Sequence, residues 1–263
     1  MSISAFLIQY DGADFYGFQR QKNFHSVQAE LENAFHTVCR ENARFTPAGR
    51  TDTGVHARGM IVSVSHQNKI SDFRRVVHSL NALTSDSLSI LGGREMPEKF
   101  NARFSCTERE YEYWIYHAKT PSPLLNNRAY WMKFPLDLDR IQKEIPSIIG
   151  KHNFKSFAKL ESVRTKSAER QITSLSLKPS SEIPGLIRFQ IRGTGFLHNM
   201  VRILVGTILS VGNGKITESL EEILQKEDRT TAGKTLPPYG LYFQKAYYRD
   251  YNEIESLYTD YLF

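Results

Sequence analysis

The apolar residues of this chain recur with two different periods, and that alternation restricts the possible folds more than any other feature of the sequence. Arg109–His117 alternates between two faces, with Tyr111 and Tyr113 on the same side, which predicts a strand. Phe196–Val211 instead carries an apolar stripe at intervals of three and four residues, which predicts a helix. The two kinds of segment are interleaved, and hairpin-like connections are frequent. This arrangement predicts an α+β fold with antiparallel or mixed sheets.

The length of 263 residues allows one large domain or two modest ones. With 40% hydrophobic and 24% charged residues, the chain can build a hydrophobic core and does not belong to the disordered class. Strand and helix patterns occur on both sides of residue 105. We therefore predict two α+β lobes, formed by residues 1–105 and residues 106–263.

Charge and cysteine content narrow the classes of protein further. Lys plus Arg number 34 against 28 Asp plus Glu, a formal charge of +6, which permits a polyanionic partner without proving one. Two cysteines, Cys39 and Cys106, are too few for a disulfide framework. The first residues lack the regions of a signal peptide, and the apolar run Ile203–Val211 is too short to span a bilayer. We expect a cytoplasmic protein with reduced thiols and no membrane partner.

A polar turn bounded by two glycines, Gly49–Gly54, is the most informative segment for chemistry. It contains Arg50 and Asp52 and lies between two predicted strands. An acid on such a loop can be presented at the floor of a cleft, or it can do no more than cap the amides of a tight turn. The eight histidines show no metal-ligand spacing, so we predict no metal site.

The triplet Asp52-Thr53-Gly54 also matches the signature of aspartic proteases. Those enzymes need two carboxylates that share one proton, and this chain would have to form a dimer to supply the second. Arg50 would hold the acid ionised, which opposes proton sharing. A protease is therefore the weaker interpretation.

The longer string from Gly49 to Ala57 resembles the catalytic motif of the tRNA pseudouridine synthase A family. Six further blocks resemble other motifs of that family: Tyr10–Gln21, Ser26–Glu32, Phe100–Ser105, Arg109–Tyr113, Gly195–Gly206 and Gly240–Tyr242. They occur in family order and span nearly the whole chain. Each short block is weak by itself, but the ordered set is specific.

The resemblance implies a fold and a reaction. It implies the pseudouridine synthase fold, in which two α+β lobes are joined around a central cleft. It implies an isomerase that converts uridine to pseudouridine at positions 38 to 40 of the tRNA anticodon arm. Redox change and group transfer are absent from that reaction, so we expect no cofactor. The expected partners are tRNA and a second copy of the chain, as a homodimer.

The resemblance also assigns roles to four residues. Asp52 is the essential carboxylate, which we expect to be the nucleophile; attack on ribose, attack on uracil and action as a base at the 2′ carbon remain open. Arg202 is expected to pair with Asp52 and oppose the effect of desolvation on its charge. Tyr111 is expected to stack on a flipped uracil, and Arg50 to help expel the uridine from the stem. Without the resemblance, Arg202 could be a surface cation and Tyr111 an ordinary core residue.

Some residues depart from the family pattern. Thr53 replaces a small apolar residue, and Glu110 and Glu112 stand where the family often has arginines, which puts RNA contacts along that strand in doubt. His56 lies between apolar neighbours, and we interpret it as a structural histidine. A non-catalytic RNA-binding protein is the main alternative from another class. The intact set of four site residues argues against it.

Overall fold

The structure, a computed structural model, describes residues 1–164 and 167–262. It divides into two compact units: unit 1 comprises residues 1–109 and the residues from Tyr242 onward, and unit 2 comprises Glu110–Leu241. Each unit combines helices with strands, and each contains both antiparallel and parallel strand pairs. The α+β class predicted from the sequence is confirmed.

The first part of unit 1 contains four strands and two helices: β1 (Ser2–Tyr10), α1 (Val27–Cys39), β2 (Thr46–Pro47), β3 (His56–His66), α2 (Phe73–Asn81) and β4 (Leu88–Met96). β1 pairs antiparallel with both β3 and β4. Its four consecutive residues from Ala5 to Ile8 are fully buried, because both faces of this central strand are covered. The Phe6 ring packs against Phe35 of α1 and Phe73 of α2, which places the core of unit 1 on the helical side of β1.

Unit 2 contains five strands and four helices: β5 (Glu108–His117), β6 (Tyr130–Met132), α3 (Leu138–Glu144), β7 (Gly150–Asn153), α4 (Leu160–Val163), β8 (Glu169–Pro179), β9 (Leu186–Gly193), α5 (Met200–Gly212) and α6 (Leu220–Lys226). The strand order is β6-β5-β9-β8-β7. The two strand patterns on either side of residues 179–184 predict a hairpin, and β8 and β9 form it as an antiparallel pair. α5 is buried on nearly all sides and is the central helix of this unit.

Two helices of unit 2 differ from the sequence patterns at their ends. The sequence pattern of residues 137–149 predicts one helix, but in the structure α3 ends at Glu144 and Ile145–Ile148 continues as a 3₁₀ turn. Pro146 lacks an amide hydrogen and disfavours a longer α-helix. The apolar stripe starting at Phe196 becomes helical only at Met200, because Asn199 adopts a left-handed conformation with φ of 62°.

The C-terminal segment returns to unit 1 and adds β10 (Leu241–Tyr247) and α7 (Asn252–Leu262). β10 pairs in parallel with β3, with Tyr242 opposite His56. α7 is tied down by the buried Tyr258 hydroxyl, which donates to the Gly59 carbonyl at 2.9 Å and accepts from the Ala246 amide at 2.9 Å. The division predicted at residue 105 assigned this segment to the second lobe. The pairing with β3 instead groups it with the first.

Neither cysteine is in a disulfide, and burial raises the pKa of both thiols. No helix in the described residues is long and apolar enough to cross a membrane; the longest α-helices, α1 and α5, have 13 residues each.

We expect Tyr258→Phe to lower the free energy of unfolding by about 1–3 kcal/mol, because it leaves a buried carbonyl and a buried amide without their partner. Urea denaturation monitored by circular dichroism measures the change. Tyr261→Phe is the matched control in the same helix, since that side chain is 44% exposed. Equal stability of the two variants would contradict the anchoring role of Tyr258.

Candidate active site

The segment that contains Asp52 connects two paired strands of unit 1. β2 and β3 are antiparallel, with Thr46 opposite Ser63 and Pro47 opposite Val62. The Val55 amide donates to the Asp52 carbonyl at 3.1 Å and closes a turn. Gly54 has φ of 78°, a conformation that favours glycine. Asp52 is half-buried on this turn, whereas Arg50 just before it is exposed.

The chain after β1 supports the Asp52 turn through two glycines. A Cβ at Gly12 would lie 2.1 Å from the Val55 carbonyl oxygen. Gly17 has φ of 84°, and a Cβ there would lie 2.7 Å from the Thr51 carbonyl oxygen. The backbone of the first loop therefore lies directly against the backbone of the turn. Two blocks of sequence that are about 40 residues apart form one structure.

Two hydrogen bonds to Thr51 itself add to this support. The Phe18 amide donates to the Thr51 carbonyl at 3.1 Å. The Tyr10 and Thr51 hydroxyls lie 2.7 Å apart, with both groups buried. The residue before Asp52 is thus held through its main chain and its side chain.

His56 is the first residue of β3, directly after the Asp52 turn, and is 3% exposed. Its Nδ1 is 2.9 Å from Asp11 Oδ1 and 3.0 Å from the Gly12 amide nitrogen. One ring nitrogen cannot donate to the first and accept from the second at once, so these two contacts require different protonation states at Nδ1. The ring also stacks on Tyr242 with centroids 4.7 Å apart. These contacts fit the structural role predicted for His56.

Tyr111 lies on β5 of unit 2 and is 8% exposed. Its ring packs edge-to-face on Phe196 with centroids 5.1 Å apart. The neighbouring carboxylates, which depart from the family pattern, are buried as well. Glu110 accepts from Gln190 Nε2 at 2.7 Å, and Glu112 accepts from the indole of Trp114 at 2.9 Å. Both acids are therefore built into the hydrogen bonding of the sheet.

Arg202 lies in the first turn of α5 and is half-buried. Its Nε donates to the Leu236 carbonyl at 2.7 Å, and its Nη1 donates to Asn199 Oδ1 at 2.9 Å. These two bonds fix the guanidinium plane. Arg202 is therefore not a mobile surface cation, although sequence reasoning did not identify Asn199 and Leu236 as its partners.

The predicted site residues are distributed evenly between the units: Arg50 and Asp52 share one turn of unit 1, and Tyr111 and Arg202 lie on β5 and α5 of unit 2. The glycines after β1 belong to a sequence motif, but no local pattern indicates that they support the turn. Within residues 1–164 and 167–262 we find no group of three or more His, Cys, Asp or Glu side chains that could hold a metal ion.

Comparison with known proteins gives matches over both units. A family model described as tRNA pseudouridine synthase matches residues 145–249. The tRNA pseudouridine synthase A of Leptospira biflexa is 44% identical over 257 residues, covering 97% of each chain. The protein of the same name from Leptospira interrogans is 46% identical over 76% of this chain and 97% of its own. That from Thermus thermophilus is 41% identical over 92% of this chain and 95% of its own.

We expect Gly12→Ala to destabilise unit 1 by roughly 1–3 kcal/mol, because the added methyl group meets the Val55 backbone, which cannot rotate away. Thermal unfolding measures the effect. Gly195→Ala is the matched control, since a Cβ there would meet only the Arg170 side chain at 3.8 Å. Unchanged stability of Gly12→Ala would show that the first loop does not support the Asp52 turn.

Proposed function

The chain belongs to the tRNA pseudouridine synthase A family, and we propose that Asp52 is the carboxylate with which it isomerises uridine to pseudouridine in tRNA. As an isomerase it breaks the bond between N1 of uracil and C1′ of ribose and joins C5 to C1′. In this exchange C5 of the base loses its proton and N1 gains one. Atoms and electrons are conserved, so the reaction needs no oxidant or group donor.

The observation that best supports Asp52 is the rigidity of its turn. Gly12 and Gly17 lie against the turn backbone, and Thr51 is held by two hydrogen bonds. A catalytic group placed on a fixed backbone loses little freedom when the substrate arrives, and this lowers the barrier to reaction. A residue that only capped a turn would not need such support from a second segment.

As a nucleophile, Asp52 would react in its ionised form. In attack on ribose, the carboxylate forms a bond to C1′ while N1 leaves with the electron pair of the glycosidic bond. C5 of the turned base then displaces Asp52 from C1′, loss of the C5 proton restores the C5–C6 double bond of the base, and N1 takes up a proton. Attack on uracil, or proton removal at the 2′ carbon, also requires the ionised carboxylate.

We assign substrate binding to the other three residues. The Tyr111 ring packs on Phe196, and we assign to it the stacking surface for a flipped base. The Arg202 guanidinium is fixed by Leu236 and Asn199, and a fixed guanidinium is suited to pairing with a carboxylate. Arg50 is exposed on the Asp52 turn and can contact the RNA stem during expulsion of the uridine.

We further propose that the modified uridines are those at positions 38 to 40, that the enzyme acts as a homodimer and that it works in the cytoplasm. The support for these three statements is the resemblance of its motifs to the family. Mapping pseudouridine in tRNA treated with the protein tests the positions. Sedimentation equilibrium tests the dimer.

We expect Asp52→Asn to reduce pseudouridine formation by on the order of 10³-fold or more, because the amide keeps the shape of the side chain but is neither charged nor nucleophilic. Binding to tRNA should be kept or improved, since a negative charge near phosphates is lost. Product analysis by nucleoside chromatography and a filter-binding assay give the two quantities.

The matched control is Asp86→Asn, which makes the same change at an exposed position of unit 1. If Asp52 only caps its turn, Asn should serve nearly as well, because both side chains accept hydrogen bonds from amides. Turnover of Asp52→Asn close to that of the wild type would therefore refute the catalytic role. If the wild-type protein formed pseudouridine in no tRNA, the result would favour the alternative of a non-catalytic RNA-binding protein.

A further inference from the structure

Unit 2 contains a pocket of about 480 Å³ formed by β6, the residues after it, α5 and the segment before β10. Its wall includes three aromatic residues and three lysines: Tyr130, Trp131, Phe134, Lys133, Lys215 and Lys234. The volume falls within the range of roughly 300–1,000 Å³ that is typical of small-molecule sites. Neither Asp52 nor the three residues assigned to substrate binding line it.

The pocket is built by close packing of α5 against the segment that contains Lys234. A Cβ at Gly206 would lie 2.1 Å from the Lys234 carbonyl oxygen, so only glycine fits at that point of the helix. The Gly233 amide donates to the Thr207 hydroxyl at 2.9 Å on the next residue of α5. This main-chain contact sets the position of Lys234, whose ammonium group donates to the Tyr130 hydroxyl at 2.7 Å.

The pocket is positively charged, because no Asp or Glu is among the described residues that line it. The three lysines are exposed. Lys133 Nζ is 5.5 Å and Lys215 Nζ is 4.6 Å from the centre of the Phe134 ring, and Lys234 is held by its hydrogen bond to the Tyr130 hydroxyl. These contacts keep the charges at the pocket wall without neutralising them.

The rings themselves are open to solvent: Phe134 is 47% exposed and Trp131 is 37% exposed. Exposed aromatic faces beside lysines are the combination that binds single-stranded nucleic acid, since bases stack on the rings and phosphates approach the cations. We propose that this pocket binds one unpaired nucleotide of RNA, with its base against the exposed rings and its phosphate among the lysines.

Charge decides between RNA and a protein occupant. A second copy of the chain, itself of formal charge +6, would have to bring acidic groups to three lysines or leave them desolvated. An RNA nucleotide supplies the anion and the flat ring together. The inference rests on the proposed function in one respect: the bound nucleotide would belong to the tRNA substrate and would be a different nucleotide from the uridine that reacts.

A cytidine hexanucleotide tests the pocket separately from catalysis, because it contains no uridine to react. We expect it to change the fluorescence of Trp131, obtained as the difference between the wild type and Trp131→Phe. Lys215→Ala should weaken this binding several-fold and reduce the slope of log affinity against log salt by about 0.7, the loss of one phosphate contact to a single strand. Phe134→Leu should weaken it as well, by removing a stacking surface.

Lys143→Ala is the matched control, since it removes one exposed positive charge of unit 2 away from the pocket. The proposal is overturned if Trp131 does not respond, if Lys215→Ala binds like Lys143→Ala, or if inorganic phosphate alone reproduces the response at the same concentration. It is also overturned if sedimentation shows that Phe134→Leu dissociates an oligomer, which would make the pocket a protein interface. A wild-type protein that binds the hexanucleotide but forms no pseudouridine would refute the proposed function and leave this site standing.

Discussion

The contact between the Gly12 and Val55 backbones is the constraint on which the candidate active site depends. A side chain at position 12 would overlap the Val55 carbonyl, so the loop after β1 and the Asp52 turn can approach only through glycine. Gly17 makes the same kind of approach to Thr51. Since main-chain atoms cannot change rotamer, these contacts position Asp52 more rigidly than side-chain packing would. The short Tyr10–Gly12 and Tyr16–Gln21 blocks thereby acquire a physical explanation.

Elements with a strong local pattern could be predicted from the sequence, but the pairing between strands that are distant in the sequence could not. The alternation in β5 and the stripe in α5 are local properties, and both elements are present. The return of β10 to unit 1 depends on a parallel pairing between residues 56 and 242, for which no turn or period gives a signal. The end of α3 at Glu144 was missed, although Pro146, inside the helix predicted over residues 137–149, is a local signal for it.

The same distinction applies to the candidate site. Arg50 and Asp52 lie in one short polar segment between two strand patterns, so their shared turn could be predicted. The orientation of Arg202 depends on the left-handed conformation of Asn199 and on a carbonyl 34 residues away, neither of which a helical period contains. Of the two acids of β5, Glu112 accepts a hydrogen bond from Trp114, which the alternation of the strand places on the same face, whereas Glu110 accepts from Gln190, a partner 80 residues away that sequence spacing does not identify.

The modest formal charge of +6 says little about how this chain meets a polyanion. At physiological ionic strength charges are screened over about 8 Å, so a phosphate responds to the few groups nearest to it. Three lysines line one pocket, and no Asp or Glu is among the described residues that line it, so the local attraction for a phosphate is stronger than the net charge suggests. The buried acids of β5 lower the net charge, but they are already hydrogen-bonded within the sheet. We therefore expect affinity for RNA to depend more on where the lysines lie than on how many the chain contains.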